Sequence, residues 1–214
     1  MISLRAVFGF MMAVFLLPVL VYSASLPAAS PVSRMRPYAG MGVLLLPIAS
    51  LGSDEPFGRL HLHDEPSMSR LKNAELALAP RHQWIFALDT DTVPLMVMAR
   101  KGDWLKVVYD DAGREGWIKP GQRYGFEIWE EFLVGRVVHL LPGLQKRHYR
   151  YYEKPGTEPL ADVTPQQLFR VIQLDNDWVR VQGDRNFSGW LRWQDEDGRL
   201  LIGLEQRGAS RKQL

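Results

Sequence analysis

The chain reads as a mostly β protein: two small β-barrels joined by a short helical connector and preceded by an apolar N-terminal helix. Three observations predict this class. A hairpin pattern that opens on one Trp and closes on a Gly-Trp pair occurs twice, at Trp104 to Trp117 and at Trp178 to Trp190. Fourteen Pro and eighteen Gly in 214 residues suit a turn-dense β chain better than a helical bundle. Helical spacing is confined to two short stretches.

The hairpins set the first expectations. Side chains of a strand alternate between its two faces. Leu105, Val107 and Tyr109 therefore share one face, and Trp104, Lys106 and Val108 the other. In the second copy Val179 and Val181 alternate with Trp178, Arg180 and Gln182. A basic residue follows the Trp by two positions in both. Turns rich in Asp, Gly and Asn reverse the chain, and a Gly then precedes a second Trp and an aliphatic residue, 13 positions after the first Trp in one copy and 12 in the other. Leu95–Met98 and Phe169–Ile172 supply the preceding strands. Upstream, Leu62-His63-Asp64-Glu65-Pro66 lines up with Tyr152-Glu153-Lys154-Pro155, so the hairpins belong to an internal repeat of irregular period.

This pattern resembles bacterial SH3-type (SH3-like) domains. They have a strand ending near a Pro, an aliphatic strand, G-x-W-x-x-V, a polar turn and G-W-[VIL]. Pro66, Val97, Asp103-Trp104, Val107 and Gly116-Trp117-Ile118 match in the first copy. Pro155, Val171, Asp177-Trp178, Val181 and Gly189-Trp190-Leu191 match in the second. The resemblance covers about residues 57–120 and 148–193. It divides the chain into a signal peptide or anchor (1–23), a linker (24–56), barrel 1 (57–122), a connector with a short helix (123–147), barrel 2 (148–205) and a flexible tail (206–214). In the first copy 37 residues separate Pro66 from Trp104, against 22 between Pro155 and Trp178. Barrel 1 must therefore hold an insertion around Ser67–Thr92.

Taken in order, Met1–Arg5 is a short positive region and Ala6–Tyr22 an uncharged apolar run, followed by small residues suited to signal cleavage. Seventeen apolar residues also reach the lower limit of a membrane span, so a retained anchor stays open. Either reading exports the chain to a periplasm or cell envelope, with membrane contact only through this segment. Ser25–Ser53 is rich in Pro, Ala and Ser and reads as a linker. Its apolar part, Gly42–Gly52, is expected to pack along the first barrel or to dock a partner. Leu71–Leu78 has helix formers ending before Pro80, and Gln83–Leu88 suits a strand. Gly125–Gly135 carries Ile128, Trp129, Phe132 and Leu133 at helical spacing stopped by Gly135, a short helix expected to dock the barrels together. Arg136–Leu141 suits a strand, and the tail after Leu204 is polar and basic.

Composition narrows the chemistry. The formal charge is +2, too balanced for the concentrated basic face that nucleic-acid binding needs. Without cysteine, disulfides, thiol catalysis and thiolate metal sites are excluded. His61-Leu62-His63 would place two imidazoles on one strand face. The zinc endopeptidases of peptidoglycan carry such an H-L-H, yet here no His precedes position 61, and edge-strand histidines are the better reading. The carboxylate pairs Asp89/Asp91, Asp110/Asp111, Glu130/Glu131 and Asp195/Glu196/Asp197 fall in turns or on polar faces, where solvation keeps both members ionised. No G-x-S-x-G, phosphate-cradling Gly loop or H-E-x-x-H occurs. No catalytic residue, metal site or cofactor is therefore expected.

Seven Trp and seven Tyr suit recognition, because their rings pair a large rigid face with a polar handle. The candidate ligand contacts are Trp104 and Lys106, Trp178 and Arg180, and Tyr149 with Tyr151, which alternation makes neighbours on one face. Trp104 and Trp178 suit a ligand platform or a barrel plug about equally. Trp117 and Trp190, with Gly116 and Gly189, are expected to be structural, the indoles closing the barrel ends. Such domains, by resemblance, bind cell-wall peptides or mediate protein contacts. The expected function is a non-catalytic module that binds peptide or glycan of peptidoglycan. A scaffold for another envelope protein is the alternative, and an envelope hydrolase ranks last.

Overall fold

A computed structural model describes residues 35–47, 60–71, 76, 79–80, 82–88, 91–121, 124–184 and 188–205. The expected signal or anchor helix (1–23) and the tail (206–214) lie outside them. Among the described residues no helix is long and apolar enough to cross a membrane.

Among the described residues the chain is mostly β, in two antiparallel sheets. Strands β1 (Gly42–Pro47), β2 (Thr92–Lys101), β3 (Trp104–Val108), β4 (Glu115–Ile118) and β5 (Phe126–Ile128) form the first, in the order β4-β3-β2-β1-β5. One short helix, α1 (Trp129–Leu133), follows. Strands β6 (Val137–Leu140), β7 (Arg150–Tyr152), β8 (Pro159–Asp162), β9 (Phe169–Asp175), β10 (Trp178–Gln182), β11 (Ser188–Arg192) and β12 (Ile202–Leu204) form the second, in the order β12-β6-β9-β10-β11-β7-β8. Among the described residues neither sheet closes by pairing its end strands. Closure needs a continuous staggered ladder, and β5, β8 and β12 are only three or four residues long.

Strand β1 corrects the linker reading of 24–56 at residues 42–47, whereas 24–34 and 48–56 lie outside the described residues. It pairs with β2 along its whole length and with β5 at its start, so it lies inside the first sheet. Both of its faces are covered. Leu44 and Leu46 enter a core with Leu62, Leu95, Val97, Leu105, Val107 and Ile118. Val43 enters a second core that holds Met96, α1 and the second sheet, with Leu45 packed against it. A strand buried on both faces reads as a continuous apolar run, as GVLLL does. Burial of each such side chain contributes about 1.5–3 kcal/mol. Pro47, the last residue of the strand, is where a missing N–H ends a ladder at least cost.

The segment read as a connector is shared between the sheets. Phe126–Ile128 is a strand of the first, Val137–Leu140 a strand of the second, and the helix shrinks from Gly125–Gly135 to five residues between them. Gly135 ends this segment with φ 82, a left-handed conformation that Gly adopts freely. Trp129, Phe132 and Leu133 face the second core, and the Trp129 indole N–H donates to Ala39 O at 2.9 Å. Gln83–Leu88 is a turn rather than a strand, because the Ile85 and Phe86 N–H groups both donate back to His82 O. Ile85 and Phe86 enter the second core. Of the expected helix Leu71–Leu78, residues 72–75 and 77–78 lie outside the described set.

Residues 36–39 are held by the turn before β12. The Arg36 guanidinium pairs with Asp195 at 2.6 Å and donates to Leu200 O, while Arg199 donates to Arg36 O and stacks on Tyr38. Asp195 is 7% exposed and also accepts the backbone N–H groups of Asp197 and Arg199. Burial alone would raise this carboxyl, but the Arg199 N–H and the Arg36 guanidinium together hold it below the usual carboxylate range. A depressed folded pKa stabilises the fold above the unfolded value and loses that contribution as pH falls through the folded value. Asp195→Asn should therefore lower the unfolding free energy at pH 7 by about 1–3 kcal/mol. In denaturant titrations the gap to the parent should narrow as the pH drops below about 4; a gap unchanged down to pH 3 would refute the clamp.

Candidate functional site

The two hairpins correspond register by register. Val97 pairs with Val107 and Ala99 with Lys106, leaving Met98 as a bulge; Val171 pairs with Val181 and Gln173 with Arg180, leaving Ile172 as a bulge. Lys106 lies opposite Trp117, and Arg180 opposite Trp190. The hairpin's closing Trp is flanked by an aromatic residue three before a Pro. His63 and Trp117 exchange both backbone hydrogen bonds at 2.8 Å, and Tyr152 is the partner of Trp190. The opening Trp then meets that ring edge-on. The His63–Trp104 centroids are 5.1 Å apart at 81°, and the Tyr152–Trp178 centroids 4.9 Å apart at 85°.

The invariant part of this arrangement follows from one steric demand. A Cβ on Gly116 would sit 2.8 Å from a Leu62 methyl, and one on Gly189 would sit 2.3 Å from the Tyr151 ring. Leu62 and Tyr151 each precede the flanking aromatic residue and point into a core, so the strand beneath them carries no side chain at that position. The next residue, Trp117 or Trp190, is thereby directed to the outer face.

Each outer face thus carries two indoles, a flanking ring and a basic residue. In the first, Lys106 is held by Glu115 at 2.9 Å, and Trp104 is half-buried. In the second, the Arg192 guanidinium lies 5.2 Å from the Trp178 ring centroid and pairs with Glu196 at 2.5 Å. Arg180 is exposed and makes no ion pair among the described residues. Ring faces beside cations suit ligands that combine an apolar surface with carboxylate or hydroxyl groups.

The structure brings Trp104 and Lys106 together, and likewise Trp178 and Arg180. Tyr149 and Tyr151 do not join them. Tyr151 is fully buried in the second core, and the Tyr149 hydroxyl donates to Leu141 O at 2.7 Å and accepts from Leu144 N. Tyr152 faces outward instead, because its register against Trp190 sets the parity of β7. Trp117 and Trp190, expected as structural residues that close the barrel ends, lie opposite Lys106 and Arg180 on the face away from Val107 and Val181; Trp117 is only 8% exposed, in keeping with a structural role, and Trp190 is half-buried. Tyr152, Arg192 and the stacking role of His63 were missed. The alignment of His63 with Tyr152, each three residues before its Pro, held the signal for both rings.

Nothing in the described residues forms a group of three or more His, Asp or Glu able to hold a metal. The His63 ring is engaged by Met68 O at 3.0 Å. Asp110 of the Asp110/Asp111 pair is bound by Arg114; burial alone would raise its pKa, and the Arg114 N–H and guanidinium lower it.

No protein-family model and no curated protein matches the chain. Among solved structures, an NlpC/P60 family protein from Bacillus cereus matches at 19% sequence identity with a TM-score of 0.23. The match covers 53% of this chain and 36% of that one, so the chain corresponds to little more than a third of its length. A likeness of that degree carries no argument about fold or activity.

The two glycines should differ in their tolerance of a methyl group. Gly116 faces flexible leucine ends, whereas Gly189 faces a packed ring and the Tyr152 carbonyl at 2.6 Å. Gly189→Ala should destabilise by about 2–4 kcal/mol and Gly116→Ala by about half as much, read from urea unfolding. Equal losses would contradict the packing described for Tyr151.

Proposed function

We propose that the chain is a non-catalytic, exported binding module of a bacterial cell envelope, whose halves are small SH3-like barrels. Its repeated outer faces recognise peptide or glycan of peptidoglycan. The carrying observation is the recurrence of one constellation in both halves: a Trp met edge-on by a second ring, with a basic residue opposite the closing Trp. A core does not require a ring pair and a cation on its outer face, and twofold repetition suits a polymeric ligand with repeating units. The apolar run Ala6–Tyr22 supports export, and the motif resemblance supports the barrel reading. The reading involves no cofactor.

One observation favours docking to another envelope protein as the second reading. Ile128 and Val134, which flank α1, and the bulged Ile172 are 40–43% exposed.

Co-sedimentation with purified sacculi distinguishes them. Trp104→Ala and Trp178→Ala, each confirmed as folded by circular dichroism, should each weaken sedimentation by about fivefold or more. No sedimentation of the parent protein, together with co-purification of an envelope protein, would replace the first reading with the second.

A further inference from the structure

The halves share a register but differ at two places beside the turn that opens each hairpin. Leu105 pairs with Ile118 and Val179 with Leu191, so Pro120 and Trp193 occupy equivalent places two residues further on. In the second half Trp193 is 3% exposed, and its indole N–H donates to Asn176 O at 2.6 Å. Asn176 and Gly102 hold the same place in their turns, both with positive φ, 49 and 60. In the first half Pro120 has no group that can reach this turn. Arg100 satisfies the carbonyl instead, its Nε donating to Gly102 O at 3.0 Å.

A cleft of about 410 Å³ opens beside that turn. The buried Leu105, with Tyr124 and Phe126, supplies its apolar lining, and Arg100 and Lys119 supply two cationic groups against the single carboxylate of Asp103. By register Arg100 stands where the second half has Leu174, which packs against the second core. The Arg100 guanidinium lies 6.0 Å from the Phe126 ring centroid and pairs with no carboxylate among the described residues. Lys119 meets Asp103 at 3.6 Å, with both side chains exposed, so this ion pair leaves it available to a ligand.

We propose that this cleft binds an aromatic side chain bearing a free carboxylate, as in the C-terminal aromatic residue of a peptide. The ring takes the place that Trp193 fills in the second half, and the carboxylate meets Arg100 and Lys119. Guanidinium and ammonium groups on the margin of an apolar slot supply orientation and charge while the slot supplies contact area. Because Leu105 and Trp104 point to opposite faces of β3, the cleft stands or falls independently of the outer Trp face.

The test is a titration of the full chain with N-acetyltryptophan, followed by amide chemical shifts. N-acetyltryptophanamide and N-acetylalanine serve as the ligands lacking carboxylate and ring. Saturating shifts at Leu105, Gly121 and Phe126 are expected, with Kd on the order of 1 mM. Loss of the carboxylate, loss of the ring, or Arg100→Gln should each weaken binding by about fivefold or more. Pro120→Trp, which gives the first half the side chain of the second, should abolish binding with the rest of the spectrum unchanged. Absence of saturation by about 20 mM, equal affinity for the amide, or undiminished binding by a folded Pro120→Trp variant would overturn the proposal. If that variant does not fold, the carboxylate comparison and Arg100→Gln decide the matter.

Discussion

Burial of β1 on both of its faces is the constraint from which the rest of the architecture follows. Leu44 and Leu46 belong to one core and Val43 to the other, so a single six-residue strand is common to both. No one-sided sheet could cover it. The second sheet, α1 and the Ile85–Phe86 turn provide the missing cover, and the Arg36–Asp195 clamp fixes the segment leading into the strand. The halves are therefore repeats in local geometry, but they are not energetically separate units.

On this shared frame each half builds its outer face by the same steric route. An inward side chain, Leu62 or Tyr151, excludes a Cβ from the adjacent strand, which makes the residue before the closing Trp a glycine. Parity then turns the closing Trp outward, opposite the basic residue of the neighbouring strand. Core packing and ring orientation are in this sense linked, because the side chain that closes each core also sets the face on which the closing Trp lies. The halves diverge where packing leaves latitude. Lys106 is neutralised by Glu115, whereas Arg180 faces solvent, and Trp193 fills a space that Pro120 leaves open.

The parts legible in the sequence are those governed by local periodicity. Alternation placed Leu105, Val107, Val179 and Val181 inside and Trp104, Lys106, Trp178 and Arg180 outside, and each is found there. What alternation cannot supply is the absolute phase of a short strand. Tyr149 and Tyr151 do have matching parity, but β7 is only three residues long, and its phase comes from pairing with β11 rather than from its own pattern. The strand character of Gly42–Pro47 was hidden for a related reason. An apolar run such as Gly42–Gly52, interrupted by Pro47, is equally compatible with a loosely packed linker and with a strand buried on both faces, and only the presence of a second core distinguishes them. The helix Gly125–Gly135 was overextended because Phe126–Ile128 is claimed by β1, a partner some 80 residues earlier in the chain.

Native-state hydrogen exchange on the intact chain tests the shared strand most directly. Val43→Ala removes contact only from the second core, yet the account requires the opening free energies of the β2, β3, β9 and β10 amides to fall together, by about 1–3 kcal/mol. A fall confined to β9 and β10, with β2 and β3 unchanged, would show that the halves unfold independently and would contradict the account.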